Sequence, residues 1–221
     1  MLVDLKSDGK YVVVVGGGPE SYRKTVDFLE AGAKILVVSR SSSSGIKQLQ
    51  EQGKIRFQQA EVEDAKTFFD SLKPKPDLLV AVTNNHDLNA RLIRHAKSAG
   101  CMVYAPDNPS MSDFILPATA KVGDVRIAIS TSGKSPAMAS VLRKRIEKMI
   151  MPEDLLQVKL QDYMRGILKE QISDQKVRRK LLYSILQNEE IQNLLKQGKF
   201  DDAKEKATET AATSNQNLKK A

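Results

Sequence analysis

The amino-terminal half of the chain alternates between wholly apolar runs and segments in which apolar residues recur every three or four positions. Residues 11–15 form a continuous run, Tyr-Val-Val-Val-Val, and residues 35–38 and 78–82 repeat that texture. Runs without polar relief belong to strands covered on both faces, as in a parallel sheet. Between them, Tyr22, Val26 and Leu29 fall at helical spacing before Gly32. Residues 46–52 read as a short helix closed by Gly53, and 65–72 as a helix broken by Lys73-Pro74-Lys75-Pro76. Residues 55–59 predict a weaker strand and 102–104 a fifth one, with Leu88, Leu92 and Ala96 marking a helix between that stops at Gly100. This alternation predicts an α/β fold over residues 1–113, a doubly wound parallel sheet of the Rossmann type.

The rhythm breaks at Phe114-Ile115-Leu116-Pro117. Residues 125–129 alternate their faces with no crossover helix before them, so the parallel sheet is expected to end and a segment of mixed α and β structure, 114–150, to follow. Ser135 is placed to cap a helix that begins with Pro136. Met138, Val141, Leu142, Ile146 and Met149 form one stripe of that helix, while Arg143, Lys144 and Lys148 lie on another face. A strand and an amphipathic helix outside the main sheet need a partner surface, which predicts a homodimer held through 114–150. Residues 151–207 read as a small module of amphipathic helices. Residues 208–221 are polar, show no apolar stripe and are expected to be a disordered tail.

Charge changes the picture of the second half. The 221 residues carry 35 Lys and Arg against 27 Asp and Glu, for a net +8. Residues 1–113 contribute +1 of this and residues 114–221 the remaining +7. A basic half attracts anions: nucleic acid, a membrane surface or an acidic small molecule. Sparse aromatics outside any nucleic-acid motif argue against nucleic acid as a partner. No run approaches the roughly 18 apolar residues of a membrane span, so a soluble cytosolic protein with no membrane partner is expected. One cysteine, Cys101, and two scattered histidines make neither a disulfide nor a zinc-site pattern, and no metal site is expected. His86 and His95 read as surface residues.

Candidate chemistry gathers at strand ends. Gly16 and Gly18 fill the first two places of the G-x-G-x-x-G pattern, with Ser21 in the third, which points to a pyrophosphate held at the following helix start. After the second strand come Ser39 and Arg40. No acid is present there to accept from an adenosine ribose, and Arg40 either pairs with the phosphate of NADP or stays solvated. Thr83 and Asn84 leave the fourth strand where they can touch the dinucleotide, although helix capping by Asn84 or Asn85 explains the same residues. Asp107, between Pro106 and Pro109, reads from its spacing as a turn former. Gly133-Lys134-Ser135 lacks the earlier glycine of a P-loop, whose place holds Ala128, and is not one.

In order and spacing, V-G-G-G-P-E-S-Y-R-K, L-E-A-G-A-K-I-L-V-V, A-V-T-N-N-H-D-L-N, P-D-N-P with D-F-I-L-P, and I-A-I-S-T-S-G-K-S-P resemble the precorrin-2 dehydrogenases of sirohaem synthesis. That family includes the amino-terminal module of sirohaem synthase and the bifunctional dehydrogenase–ferrochelatases. The resemblance implies a dehydrogenase that removes two hydrogens from precorrin-2, with hydride passing to NAD, and NADP is not set aside. It places a general base or substrate-orienting acid on Asp107. Cofactor contacts fall on Gly16, Gly18, Pro19, Glu20 and Ser21, with ribose-side contacts on Ser39 and Arg40. Thr131 lines the substrate cleft, and the basic half, with Arg143 and Lys144, meets the acetates and propionates of an anionic tetrapyrrole. Some family members also insert ferrous iron, which the resemblance leaves open. Two departures stand out: Pro19 removes an amide donor from the loop, and Ser21 is larger than glycine. A regulatory dinucleotide-sensing module is the rival from another class; it explains the glycines but not Asp107 or the basic helix.

Overall fold

The computed structural model describes residues 2–220, with side chains described as far as residue 215. The chain divides into two compact units, residues 1–116 and 117–221. In the first, strands β1 (Tyr11–Val15), β2 (Lys34–Ser39), β3 (Arg56–Gln59), β4 (Leu78–Ala81) and β5 (Met102–Tyr104) form one sheet in the order β3-β2-β1-β4-β5. All four pairings are parallel, with Val15 opposite Val38 on one side and Ala81 on the other. Helices α1 (Pro19–Glu30), α2 (Ser44–Glu51), α3 (Ala65–Ser71) and α4 (His86–Ser98) connect them.

The valine run is apolar throughout because it feeds two cores. Val13 and Val15 pack with Phe69, Leu88, Leu92 and Ile93 of α3 and α4, whereas Val12 and Val14 face Phe28, Ile46 and Leu49 of α1 and α2. All four valines are at most 2% exposed. At about 1.5–3 kcal/mol for each fully buried side chain, this strand anchors both layers. Strand order reverses between β1 and β4, so the crevice at their carboxyl ends is the expected ligand site of such a sheet.

The boundary expected after residue 113 lies a little later. Phe114 stacks on Tyr104 at 5.5 Å and meets Phe28 edge-on at 6.5 Å, so residues 114–116 pack with the first unit.

The second unit begins with an antiparallel hairpin, β6 (Ala118–Val122) and β7 (Val125–Ile129), turning at Gly123-Asp124. Only β7 was expected, since Ala-Thr-Ala-Lys-Val carries too little apolar bulk to read as a strand. Helix α5 (Pro136–Met149) packs on β6, with Ser135 Oγ accepting from the Met138 amide as its N-cap. Four helices follow: α6 (Pro152–Gln171), α7 (Gln175–Gln187), α8 (Glu189–Lys196) and α9 (Phe200–Lys220). Their core is Leu160, Met164, Leu168, Leu181, Ile185, Ile191 and Leu195, closed by Ala203, Ala207 and Ala211.

Of the tail expected at 208–221, the described residues continue helix α9, and residue 221 lies outside them. Ala203, Ala207 and Ala211 recur at four-residue spacing and are 0–6% exposed, so α9 buries a stripe made of alanine. Small side chains allow close approach of the helices, and their low hydrophobicity hides the stripe from a search for large residues.

Candidate active site

The glycine loop joins β1 to α1, and its three glycines do different things. Gly16 has φ 132°, and a Cβ there would lie 2.5 Å from the Val82 carbonyl oxygen. A Cβ on Gly17 would fall 1.8 Å from the Ser41 carbonyl oxygen. Gly18 has φ −80°, and a Cβ there meets nothing within 4 Å. Sequence reasoning assigned Gly16 to the cofactor and passed over Gly17. Both glycines are first of all required by neighbouring backbone, and Gly18 alone is bare toward open space.

Ser21, the third position of the pattern, is fully buried, and its hydroxyl donates to the Gly16 carbonyl at 2.7 Å. The side chain ties the loop to the start of the helix. Pro19 occupies the first helical turn, Gly18 is the N-cap, and no side chain caps the helix. Glu20 is drawn to Arg23 and Lys24 on its own helix. The serine run wraps the loop: the Ser43 amide donates to the Gly17 carbonyl at 2.8 Å.

At the end of β2, Ser39 stands beside Gly17, and Arg40 is exposed with Glu61 Oε1 at 3.4 Å. That contact is between two exposed groups and leaves the guanidinium free to exchange partners.

Asp107 follows β5 and is held by α4. Its Oδ2 lies 2.7 Å from His86 Nδ1 and 3.0 Å from Asn89 Nδ2. Burial pushes the carboxyl upward, but the hydrogen bonds from Asn89, from His86 and from the backbone amide of Asp107 together outweigh it and hold the group below its ordinary range. Asp107 is therefore a carboxylate at neutral pH. It lines a small pocket of about 160 Å³ with His86, Ala90, Ala105, Asn108 and Met111.

Asp107 draws on residues at the start of α4. His86 is exposed as expected, 80% at its side chain, yet it is bonded to Asp107 and belongs to the site. Thr83, just before the helix, donates to Asn89 Oδ1 from its hydroxyl at 2.7 Å, and its amide donates to the same oxygen. Asn85, not Asn84, caps α4 by accepting from the Leu88 amide. Asn84 is exposed. Sequence reasoning missed Asn89; a buried asparagine on an otherwise apolar helix face was the available signal.

The remaining site residues lie in the second unit. Thr131 Oγ1 accepts from the Ser135 amide at 3.1 Å and so shapes the turn before α5. Arg143 donates to Glu147 Oε1 at 2.6 Å, and Lys144 is exposed. A larger pocket of about 430 Å³ between α6 and α7 is lined by Leu168, Leu182 and Tyr183 with Arg165, Arg178 and Arg179. Sequence reasoning did not single out these arginines.

The loop fits a dinucleotide. Helix α1 has uncapped first-turn amides, a bare glycine at its N-cap, and an orphaned hydroxyl next to the loop on Ser43, buried without a hydrogen-bond partner. These are donors waiting for an anion, which offset the donor lost at Pro19. The strands are parallel, so the loops after β1, β2, β4 and β5 share one edge of the sheet.

Comparison with known proteins agrees with this arrangement. A family model described as NAD(P)-binding matches residues 3–118, and one described as the central part of a sirohaem biosynthesis protein matches residues 122–149. The SirC structure, a precorrin-2 dehydrogenase, shares the fold at a TM-score of 0.74 and 24% identity, over 93% of this chain and 99% of that one. Siroheme synthase 1 of Aeromonas salmonicida is 35% identical over 65% of this chain, which spans 29% of that longer protein. The precorrin-2 dehydrogenase of Methanosarcina barkeri is 31% identical over 96% of this chain and 90% of its own length. By that extent of likeness, the chain belongs to the precorrin-2 dehydrogenase family.

Proposed function

We propose that the protein oxidises precorrin-2 to sirohydrochlorin in sirohaem synthesis, with NAD(P) as hydride acceptor. The observation that carries this reading is the ionised Asp107, seated in a pocket at the sheet edge that also bears the glycine loop. Two hydrogens leave the substrate. One departs with the electron pair of its C–H bond, and the bound dinucleotide supplies the acceptor for that hydride. The other departs as a proton, which Asp107 takes on a carboxylate oxygen and later returns to water. Gly18 and the uncapped α1 amides orient the pyrophosphate, while Ser39 and Arg40 stand at the ribose side.

The substrate is an anionic tetrapyrrole ringed by carboxylates. Within the second unit Arg143 is engaged by Glu147 and Arg178 by the Ile172 and Ser173 carbonyls, which leaves Arg165 and Arg179 of the α6–α7 pocket to supply charge-assisted hydrogen bonds. Lys144 and Thr131 remain proposed substrate contacts. We further propose a homodimer: Met138, Val141 and Met149 on α5 are 42%, 42% and 74% exposed, a stripe that a second copy would cover.

Incubating the purified protein with precorrin-2 and NAD, then NADP, tests the reaction: reduced dinucleotide and sirohydrochlorin should appear together. Dinucleotide binding without oxidation would favour the sensor reading. Adding sirohydrochlorin and ferrous iron as substrates in the same assay reads iron insertion.

A further inference from the structure

Neither the family likeness nor the reaction itself says what seats Asp107. We propose that Asn89, locked by Thr83 in a single amide orientation, is the positioning residue of the site and fixes the Asp107 carboxylate through its amide nitrogen. This rests on the reading of Asp107 as proton acceptor.

A primary amide has two ends of nearly the same shape, so only its neighbours decide which end points where. Asn89 is 2% exposed, and Thr83 supplies the decision. Its amide nitrogen (3.1 Å) and its hydroxyl (2.7 Å) both donate to Asn89 Oδ1, and its carbonyl accepts from Nδ2 at 3.0 Å. The remaining N–H of Nδ2 is directed to Asp107 Oδ2 at 3.0 Å. All four hydrogen-bonding positions of the amide are thus used. Flipping it would set two donors against donors and a carbonyl against a carboxylate, so the buried network has one stable state.

His86 donates to the same oxygen, Oδ2, at 2.7 Å. Both side-chain donors therefore fall on one carboxylate oxygen. Among the described residues, His86 is the one titratable group facing Asp107. Asp87 and Arg91, also on α4, pair with each other at 3.2 Å, and Asn108 and Met111 on the far side of the pocket are neutral. The hydrogen bond from Asn89 is the larger of the two from side chains that favour the charged form of Asp107. Its loss must move the carboxyl toward higher pH.

Two variants test this. Asn89→Leu keeps the branched outline, adds some volume and removes the donor. Thr83→Val keeps the shape of Thr83 and removes only the hydroxyl that orients the amide. The Asp107 carboxyl carbon is followed by NMR against pH, assigned by its disappearance in Asp107→Asn, and steady-state kinetics are measured alongside. In Asn89→Leu the Asp107 titration and the acid limb of kcat move to higher pH together. Its kcat falls by up to about 10²-fold, the scale of a misplaced reacting group, with KM for the dinucleotide unchanged. Thr83→Val shifts both in the same direction by less. A lower melting temperature with the titration and kcat unmoved overturns the proposal and leaves Asn89 a packing residue. If Asn89→Leu fails to fold, Thr83→Val decides alone. The titration needs no substrate, so a wild-type protein that leaves precorrin-2 untouched while its variants shift Asp107 would refute the proposed reaction and not the network.

Discussion

The three glycines of the loop should separate folding from binding. In Gly18→Val the backbone, at φ −80°, accepts a side chain, and the added Cβ meets nothing within 4 Å. The folding cost is then mainly that of a poorer N-cap, about 1 kcal/mol. The space the side chain enters is the space a pyrophosphate needs, so dinucleotide affinity should fall at least about tenfold, or about 1.4 kcal/mol. Gly16→Ala behaves differently. At φ 132° any side chain is strained by about 1–3 kcal/mol, and its Cβ, 2.5 Å from the Val82 carbonyl oxygen, must displace backbone that belongs to the β1–β4 pairing. Gly17→Ala is worse, with its Cβ 1.8 Å from the Ser41 carbonyl oxygen. Against a typical stability of about 5–15 kcal/mol, these two variants should show a large drop in melting temperature. Thermal melts with calorimetric titration of NAD read both quantities. A Gly18→Val protein that binds NAD with wild-type affinity would remove the basis for the cofactor site, and a Gly17→Ala protein as stable as wild type would contradict the packing described for the loop.

Other outcomes follow from the same structure. Light scattering should give about twice the 24.5 kDa chain mass, and Val141→Asp on the exposed stripe of α5 should return it to one chain; a wild-type monomer at micromolar concentration contradicts the dimer. Burial, with smaller contributions from Asp77 and Asp113, pushes the Cys101 thiol up to about 12, so it should resist thiol reagents at pH 8 until the protein is unfolded. Rapid labelling of native protein would show that the thiol is more open than its burial implies. Ala211→Asp places an unpaired charge in the helical core and should cost about 3 kcal/mol or more, whereas a frayed tail from 208 onward would tolerate it without change in the melt.

Much of the first unit was legible because its signals are local. The valine run, the glycines at its end, the proline pair before β4 and the Ser135-Pro136 start of α5 each carry their conformation in adjacent residues. What escaped was either small or distant. β6 and the α9 stripe rely on alanine, which packs by allowing close approach and not by bulk. Gly17 is explained only by Ser41, which the chain brings back after β2. The His86 and Asn89 partners of Asp107 lie 21 and 18 residues before it, and parallel strands β4 and β5 bring them to one edge. Nothing short of the sheet order connects those residues, so a sequence pattern names the aspartate but not what holds it. The family resemblance supplied the role of Asp107 where spacing alone suggested a turn.

The most direct test of the account compares wild type with Asp107→Asn on precorrin-2 and NAD(P). Asparagine preserves turn geometry but cannot take a proton, so a residue that merely shaped the loop would be replaced without loss. The variant should keep the fold, the oligomeric state and dinucleotide affinity while turnover falls by about 10²–10⁴-fold, the usual loss when a general base is removed. Wild-type turnover of precorrin-2 with undiminished turnover by Asp107→Asn would show that the proton leaves by another route and contradict the mechanism at its centre.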